Sequence, residues 1–137
     1  MYQRIGIPVD LEHPESLVKA VATAARLAMA FSASLHLVAV TSPSPNAVAR
    51  SPQEFAERLA TYAGDCSKRH GVIFTSHMRV CDDPAVELDR TLSEVFHQLE
   101  VDLLVVASHV PGLRDYVFAS NAGWLASHTD LSVFVVR

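Results

Sequence analysis

Short apolar runs alternate along this chain with longer stretches whose apolar residues recur every three or four positions, the signature of strands alternating with amphipathic helices. Ile5-Gly6-Ile7-Pro8-Val9 is such a run and stops at Asp10, which predicts a buried first strand. His13-Pro14-Glu15 opens a helix, with proline in the first turn and an acid beside it. Its apolar stripe is Leu17, Val21, Ala24, Ala28 and Phe31, with Ser16, Lys19, Thr23 and Arg26 opposite. Leu35 to Val40 is the second strand, and the Ser-Pro-Ser-Pro stretch within Thr41 to Arg50 is a loop. Ser51-Pro52-Gln53-Glu54 reads as a capping box ahead of a helix with the stripe Phe55, Leu59, Tyr62 and Cys66, ended by His70-Gly71. The third strand lies within Ile73 to Val80, and its weak alternation suits a sheet edge. Asp83-Pro84 caps a third helix whose inner face is Leu88, Leu92, Val95 and Leu99. Leu103 to Ala107 is a fully buried fourth strand. Ser108 to Tyr116 reads as a loop, Ser120 to His128 as a short helix, and Val133 to Val136 as the last strand.

The order β-α-β-α-β-α-β-α-β predicts an α/β fold: a doubly wound, five-stranded parallel sheet with helices on both faces. Right-handed crossovers leave few arrangements, and 3-2-1-4-5 is the strand order expected. Ligands of such sheets sit outside the carboxyl ends of the strands, where the winding reverses. That point lies between strands one and four, so the candidate site is bounded by Asp10 and the Ala107-Ser108-His109 turn.

With 137 residues, half of them hydrophobic, the chain fits one domain spanning 1–137 with a core of its own. The net charge of −4 and the scattered arginines lack the basic stripe of a nucleic-acid binder. Leu27 to Ala49 carries no formal charge, yet serines, His36 and two prolines interrupt it, which excludes a membrane span. Met1 to Ile5 runs straight into a strand, without the pattern of a signal peptide, and predicts a cytoplasmic protein. Cys66 and Cys81 form no framework or metal pair and read as small buried residues.

No nucleophile elbow, Walker lysine, HExxH or metal-ligand spacing occurs, so the sequence nominates no catalytic and no metal-binding residue. The seven histidines are dispersed. His109 stands out only because it lies in the switch-point loop, where function concentrates. Asp10 reads equally as a turn residue and as a polar partner for a ligand. The loop from Ser108 through Gly112 to Asp115 precedes a helix entered at Ser120-Asn121, whose N-terminus suits phosphate. Arg114 is the loop's single cation and reads equally as solvated surface. A response-regulator receiver shares this topology but needs a lysine ending the fifth strand, and no lysine follows Lys68. A flavodoxin lacks support because no Ser/Thr/Gly-rich phosphate loop follows the first strand.

Several segments together resemble the universal stress protein family. Tyr2 to Asp10 is similar to its "y-r-I-L-V-P-V-D" opening, Ala33 to Val40 to its second strand, Asp102 to Ser108 to its "D-L-I-V-V-G-S", and Ser132 to Arg137 to its "P-V-L-V-V-R" end. The likeness covers the whole chain. It implies an adenine-nucleotide-hydrolase-like sheet, an ATP site at the switch point with or without Mg2+, and a homodimer through strand 133–136. ATP-binding members hold the phosphates in a G-x2-G-x9-G-[ST] loop. Carried over, its glycines fall on Ala107, near Val110, and on Ala119 followed by Ser120-Asn121, with one residue fewer between the first and last. Ala107-Ser108-His109-x-Pro111 and Ser120-Asn121-Ala122 resemble instead the F/G-type subgroup with "A-S-H-R-P…Y-x-x-G-S-N-A", from which Val110 and Ala119 depart.

The resemblance therefore implies phosphate on backbone N–H groups of Ser108 to Gly112 and Ser120-Asn121, with Ser120 adding its hydroxyl. At the adenine end, Pro8, Val9 and Asp10 match the family's first strand, and Val40 matches the residue whose backbone meets adenine. The expected function is a cytoplasmic stress-response protein that binds ATP as a regulatory module. The alternative is a nucleotide-free dimeric interaction module with a degenerate phosphate loop. Hydrolysis is a weaker third reading, because no base has a defined position.

Ala119 supplies a direct test. Glycine at a phosphate turn can take φ > 0 and lets N–H groups approach the anion without a Cβ between them. Alanine loses the second property, and holding φ > 0 costs it about 1–2 kcal/mol. Ala119→Gly is expected to tighten ATP several-fold while leaving adenosine affinity unchanged. Equal gains for both ligands in calorimetric titrations, or no gain for either, would refute this steric account of the loop.

Overall fold

The protein is represented by a computed structural model, and the structure describes residues 1–108 and 130–137. In chain order the elements are β1 (Arg4–Pro8), a 3-10 turn (Pro14–Leu17), α1 (Val18–Phe31), β2 (Ser34–Thr41), α2 (Pro52–His70), β3 (Phe74–Val80), α3 (Pro84–Gln98), β4 (Leu103–Ala107) and β5 (Ser132–Val136). The strands form one sheet in the order β3-β2-β1-β4-β5, and every pairing is parallel. Both the fold class and the strand order read from the sequence are met. The helix expected over Ser120 to His128 lies outside the described residues.

The sheet separates two apolar layers. On one face Ile5, Ile7, Leu35, Leu37 and Val105 pack with Val21 and Ala24 of α1 and with Phe55 and Leu59 of α2. On the other face Val38, Leu104 and Val106 pack with Leu92, Val95 and Phe96 of α3. β1 and β4 are covered on both faces, which is why their sequences read as continuous apolar runs instead of alternating ones. β3 lies at an edge, as its weak alternation predicts.

Helix starts depart in detail from the sequence reading. The turn after His13 is 3-10, and α1 begins only at Val18; the His13 side chain caps nothing, while its carbonyl accepts both the N–H and the hydroxyl of Ser16. Ser51 does cap α2, its Oγ accepting the Glu54 N–H at 3.1 Å, and Glu54 returns a bond to the N–H of Arg50. Asp83 does not cap α3 with its side chain. Its backbone carbonyl takes the N–H groups of Val86 and Glu87, and its own N–H donates to the Glu87 carboxylate. Leu88 and Leu99 are only half-buried, while Phe96, outside the stripe read from spacing, is fully buried. The Cys66 side chain is buried as expected, whereas Cys81 is half-buried.

Phe96 owes its place to Gly6. A Cβ built at position 6 would stand 2.6 Å from Phe96 Cε1 and 3.1 Å from Leu104 Cδ2, closer than carbon atoms pack. The absent side chain is what lets α3 seat its ring on the middle of β1. Gly6→Ala should therefore destabilise the protein by about 1–3 kcal/mol through overpacking. Urea denaturation checks this, and Phe96→Leu combined with Gly6→Ala should cost less than the sum of the single changes.

Candidate functional site

Hydrogen bonds define which way each backbone group of the central strands points. The Val9 N–H donates to the Val38 carbonyl at 2.8 Å, and the Ser34 N–H donates to the Gln3 carbonyl at 3.0 Å. Backbone direction alternates residue by residue along a strand. Ser34, His36, Val38 and Val40 therefore turn their peptide groups toward β1, while Thr41 turns toward β3, where its carbonyl accepts the Cys81 N–H. β1 pairs with β2 only as far as Pro8↔Val38, so the N–H and C=O of Val40 face the space beyond the end of β1.

β1 and β4 meet differently at their two ends. At the amino end the Asp102 carboxylate accepts the N–H groups of Gln3, at 2.9 Å, and of Arg4, at 3.0 Å, while its own N–H donates to the Arg4 carbonyl. At the carboxyl end the register closes at Gly6↔Leu104. By the same alternation Arg4, Gly6 and Pro8 face β4, and proline has no N–H to give to that ladder. The β1–β4 pairing thus ends before Pro8, at the switch point between the two strands.

Among the predicted site residues, the structure gathers Pro8, Val9 and Asp10 at the end of β1, Val40 at the end of β2, and Ala107 and Ser108 at the end of β4. Pro8 and Val9 are buried; the other four are half-buried. His109, Gly112, Ala119, Ser120 and Asn121 lie outside the described residues, as do Val110 and Arg114. One expectation is corrected. The Ser108 N–H does not await phosphate, because it donates to the Val136 carbonyl at 2.8 Å and extends the β4–β5 ladder. Only the hydroxyl of Ser108 remains for a ligand.

Asp10 is engaged in a turn. Its Oδ1 accepts the Glu12 N–H at 2.9 Å and its carbonyl accepts the His13 N–H at 3.2 Å. Beside Val40, Thr41 is buried, and its Oγ1 accepts the Asn46 side-chain amide at 2.9 Å. The Asn46 Oδ1 in turn accepts the N–H groups of Val48 and Ala49, which ties the 42–50 loop back over the end of β2. Sequence reading passed over Thr41 and Asn46. The available signal was an asparagine two and three residues before the groups it accepts, an Asx-type turn inside a Ser-Pro loop.

Among the described residues no group of three or more His, Cys, Asp or Glu converges on a metal position. No helix among the described residues is long and apolar enough to cross a membrane.

Comparison with known proteins agrees with this geometry. The family model described as "Universal stress protein family" matches residues 1–137. A protein of that family from Burkholderia pseudomallei superposes with a TM-score of 0.69 at 18% identity, covering 98% of this chain and 96% of its own. A universal stress protein in complex with cAMP gives 0.69 at 21% identity, covering 99% and 97%. The universal stress protein from Archaeoglobus fulgidus in complex with dAMP gives 0.64 at 16%, covering 99% and 98%.

Proposed function

Because this chain belongs to the universal stress protein family, we propose that it binds an adenine nucleotide, ATP with or without Mg2+, in the crevice beyond β1. The observation that carries the reading is Val40: its N–H and C=O face the gap left by the shorter β1, a donor and an acceptor side by side. Adenine presents the complementary pair, an exocyclic amino donor next to a ring-nitrogen acceptor. The buried Pro8 and Val9 give that ring an apolar wall. Structural neighbours in complex with cAMP and with dAMP add support for an adenine ligand. The alanines at 107 and 119 and the engaged Ser108 N–H weigh the affinity toward the adenine end. The remaining phosphate contacts fall to His109, Gly112, Ser120 and Asn121, in the F/G-type loop pattern.

The role we assign is that of a cytoplasmic stress-response module regulated by nucleotide, assembled as a homodimer through β5. That strand ends the sheet, and Phe134 and Val135 are each 44% exposed although apolar. An apolar, unpaired edge is a surface that a second copy can cover.

Two outcomes test these assignments. At about 100 times its dissociation constant, ATP should raise the folding stability by about 2.7 kcal/mol. Asp10→Ala should weaken that binding about tenfold, worth about 1.4 kcal/mol. Unchanged affinity in the variant, with a lowered melting point, would leave Asp10 a turn residue only. No melting shift with ATP, cAMP or dAMP would favour the nucleotide-free module. Separately, Val135→Lys should convert a dimer to monomer in light scattering without loss of the fold, and a wild type that is monomeric throughout the micromolar range would refute the β5 interface.

A further inference from the structure

Away from the crevice, on the α3 face of the sheet, three side chains form a hydrogen-bonded chain across two strands. Ser34 Oγ lies 2.9 Å from His36 Nε2, and His36 Nδ1 lies 2.9 Å from His77 Nε2. His36 stands on β2 and His77 on the edge strand β3, 41 residues apart in sequence, with ring centroids 5.1 Å apart. Both rings are half-buried. The link is a side-chain tie between the edge strand and the body of the sheet.

We propose that the His36–His77 pair is an acid-sensitive clamp that holds edge strand β3 to β2 when the rings share donor and acceptor, and releases it when both are protonated. The proposal is independent of nucleotide binding. Its chemistry follows from proton counting. With both imidazoles neutral, one nitrogen of the facing pair carries a proton and the other accepts it. A first added proton leaves that arrangement intact. A second puts two N–H groups face to face across 2.9 Å, with like charges, and the bond must break.

The surroundings work against both protons. Arg4 from β1 faces His36, and Arg79 from β3 faces His77. From α3, the uncharged Gln98 meets Arg79, and Glu94 lines the same cleft. Glu100, just past that helix, lies 3.9 Å from Arg4 and pairs with it. Burial first holds both histidines below the ordinary value of 6.5; Arg4 adds to this at His36, and His36 followed by Arg79 adds to it at His77. A histidine depressed in the folded state favours folding in its neutral form. The clamp's contribution is therefore full above pH 6.5 and is lost as pH falls below that value through the depressed ones. A cation site is the weaker reading of the same residues, since no third donor of metal-binding type joins them among the described residues and two guanidiniums face them.

Hydrogen exchange on the wild-type protein tests the clamp. Between pH 7.5 and pH 5, protection factors for the Phe74–Val80 amides should fall several-fold, while those of Leu103–Ala107 hold. In the double variant His36→Gln, His77→Gln, which can hydrogen-bond but cannot titrate, β3 protection should not change with pH. Equal β3 protection at both pH values in the wild type, or the same fall in the variant, would overturn the proposal. If the variant does not fold, imidazole NMR titration of the wild type decides: two coupled steps below 6.5 support the clamp, and two independent titrations at the ordinary value refute it.

Discussion

Everything at the candidate site depends on how β1 is held against β4. The Asp102 carboxylate gathers the N–H groups of Gln3 and Arg4 and so pins the two strands at their amino ends. A hydrogen bond to a charged acceptor contributes about 1.5–3 kcal/mol, more than a neutral ladder bond. Four residues further on, Pro8 faces β4 without a donor, and the pairing has already stopped. The strands are joined at one end and free to part at the other, which is the shape a switch-point crevice requires. β2 overshoots β1 on the opposite side, so the backbone of Val40 is turned into the same opening.

The crevice is steady because the sheet beneath it is packed on both faces. Ile5 and Ile7 point into the layer under α1 and α2, and Gly6 points the other way into the ring of Phe96. Glycine inside a strand is weak in isolation, since it contributes no packing of its own. Here its missing Cβ is the space occupied by Phe96, and burying that phenylalanine returns more than the glycine forfeits. The helix that Phe96 anchors spans β2 and leaves the outer part of this face half covered. There His36 and His77 bond to each other, while Arg79 donates to the Met78 carbonyl and the Gln98 side chain.

The described groups at the ends of the central strands are main-chain and apolar more than charged. The Asp10 carboxylate is oriented by its turn to Glu12. The Ser108 N–H, committed to β5, also shows that the last strand and the site share a hydrogen-bonded junction. Any contact made at the β5 edge is therefore mechanically continuous with the end of β4.

Period and punctuation alone determined the fold class, the described strands and their order. Apolar runs such as Leu103 to Ala107, a capped helix at Ser51 and a proline ending β1 each act through the local chain, and local chemistry is legible in a linear sequence. The family likeness is local in the same sense, residing in strand ends. What escaped the sequence depends on residues far apart along the chain: Phe96 against Gly6, Asp102 against Gln3 and Arg4, Val136 against Ser108, His36 against His77. Burial of Phe96 was decided by a space on another strand, not by its spacing along α3. The Ser108 N–H looked available because nothing before residue 132 could claim it, and only strand register brought the Val136 carbonyl opposite. The direction of the Val40 peptide was settled by where β1 stops relative to β2, a relation between two strands that neither strand's sequence contains.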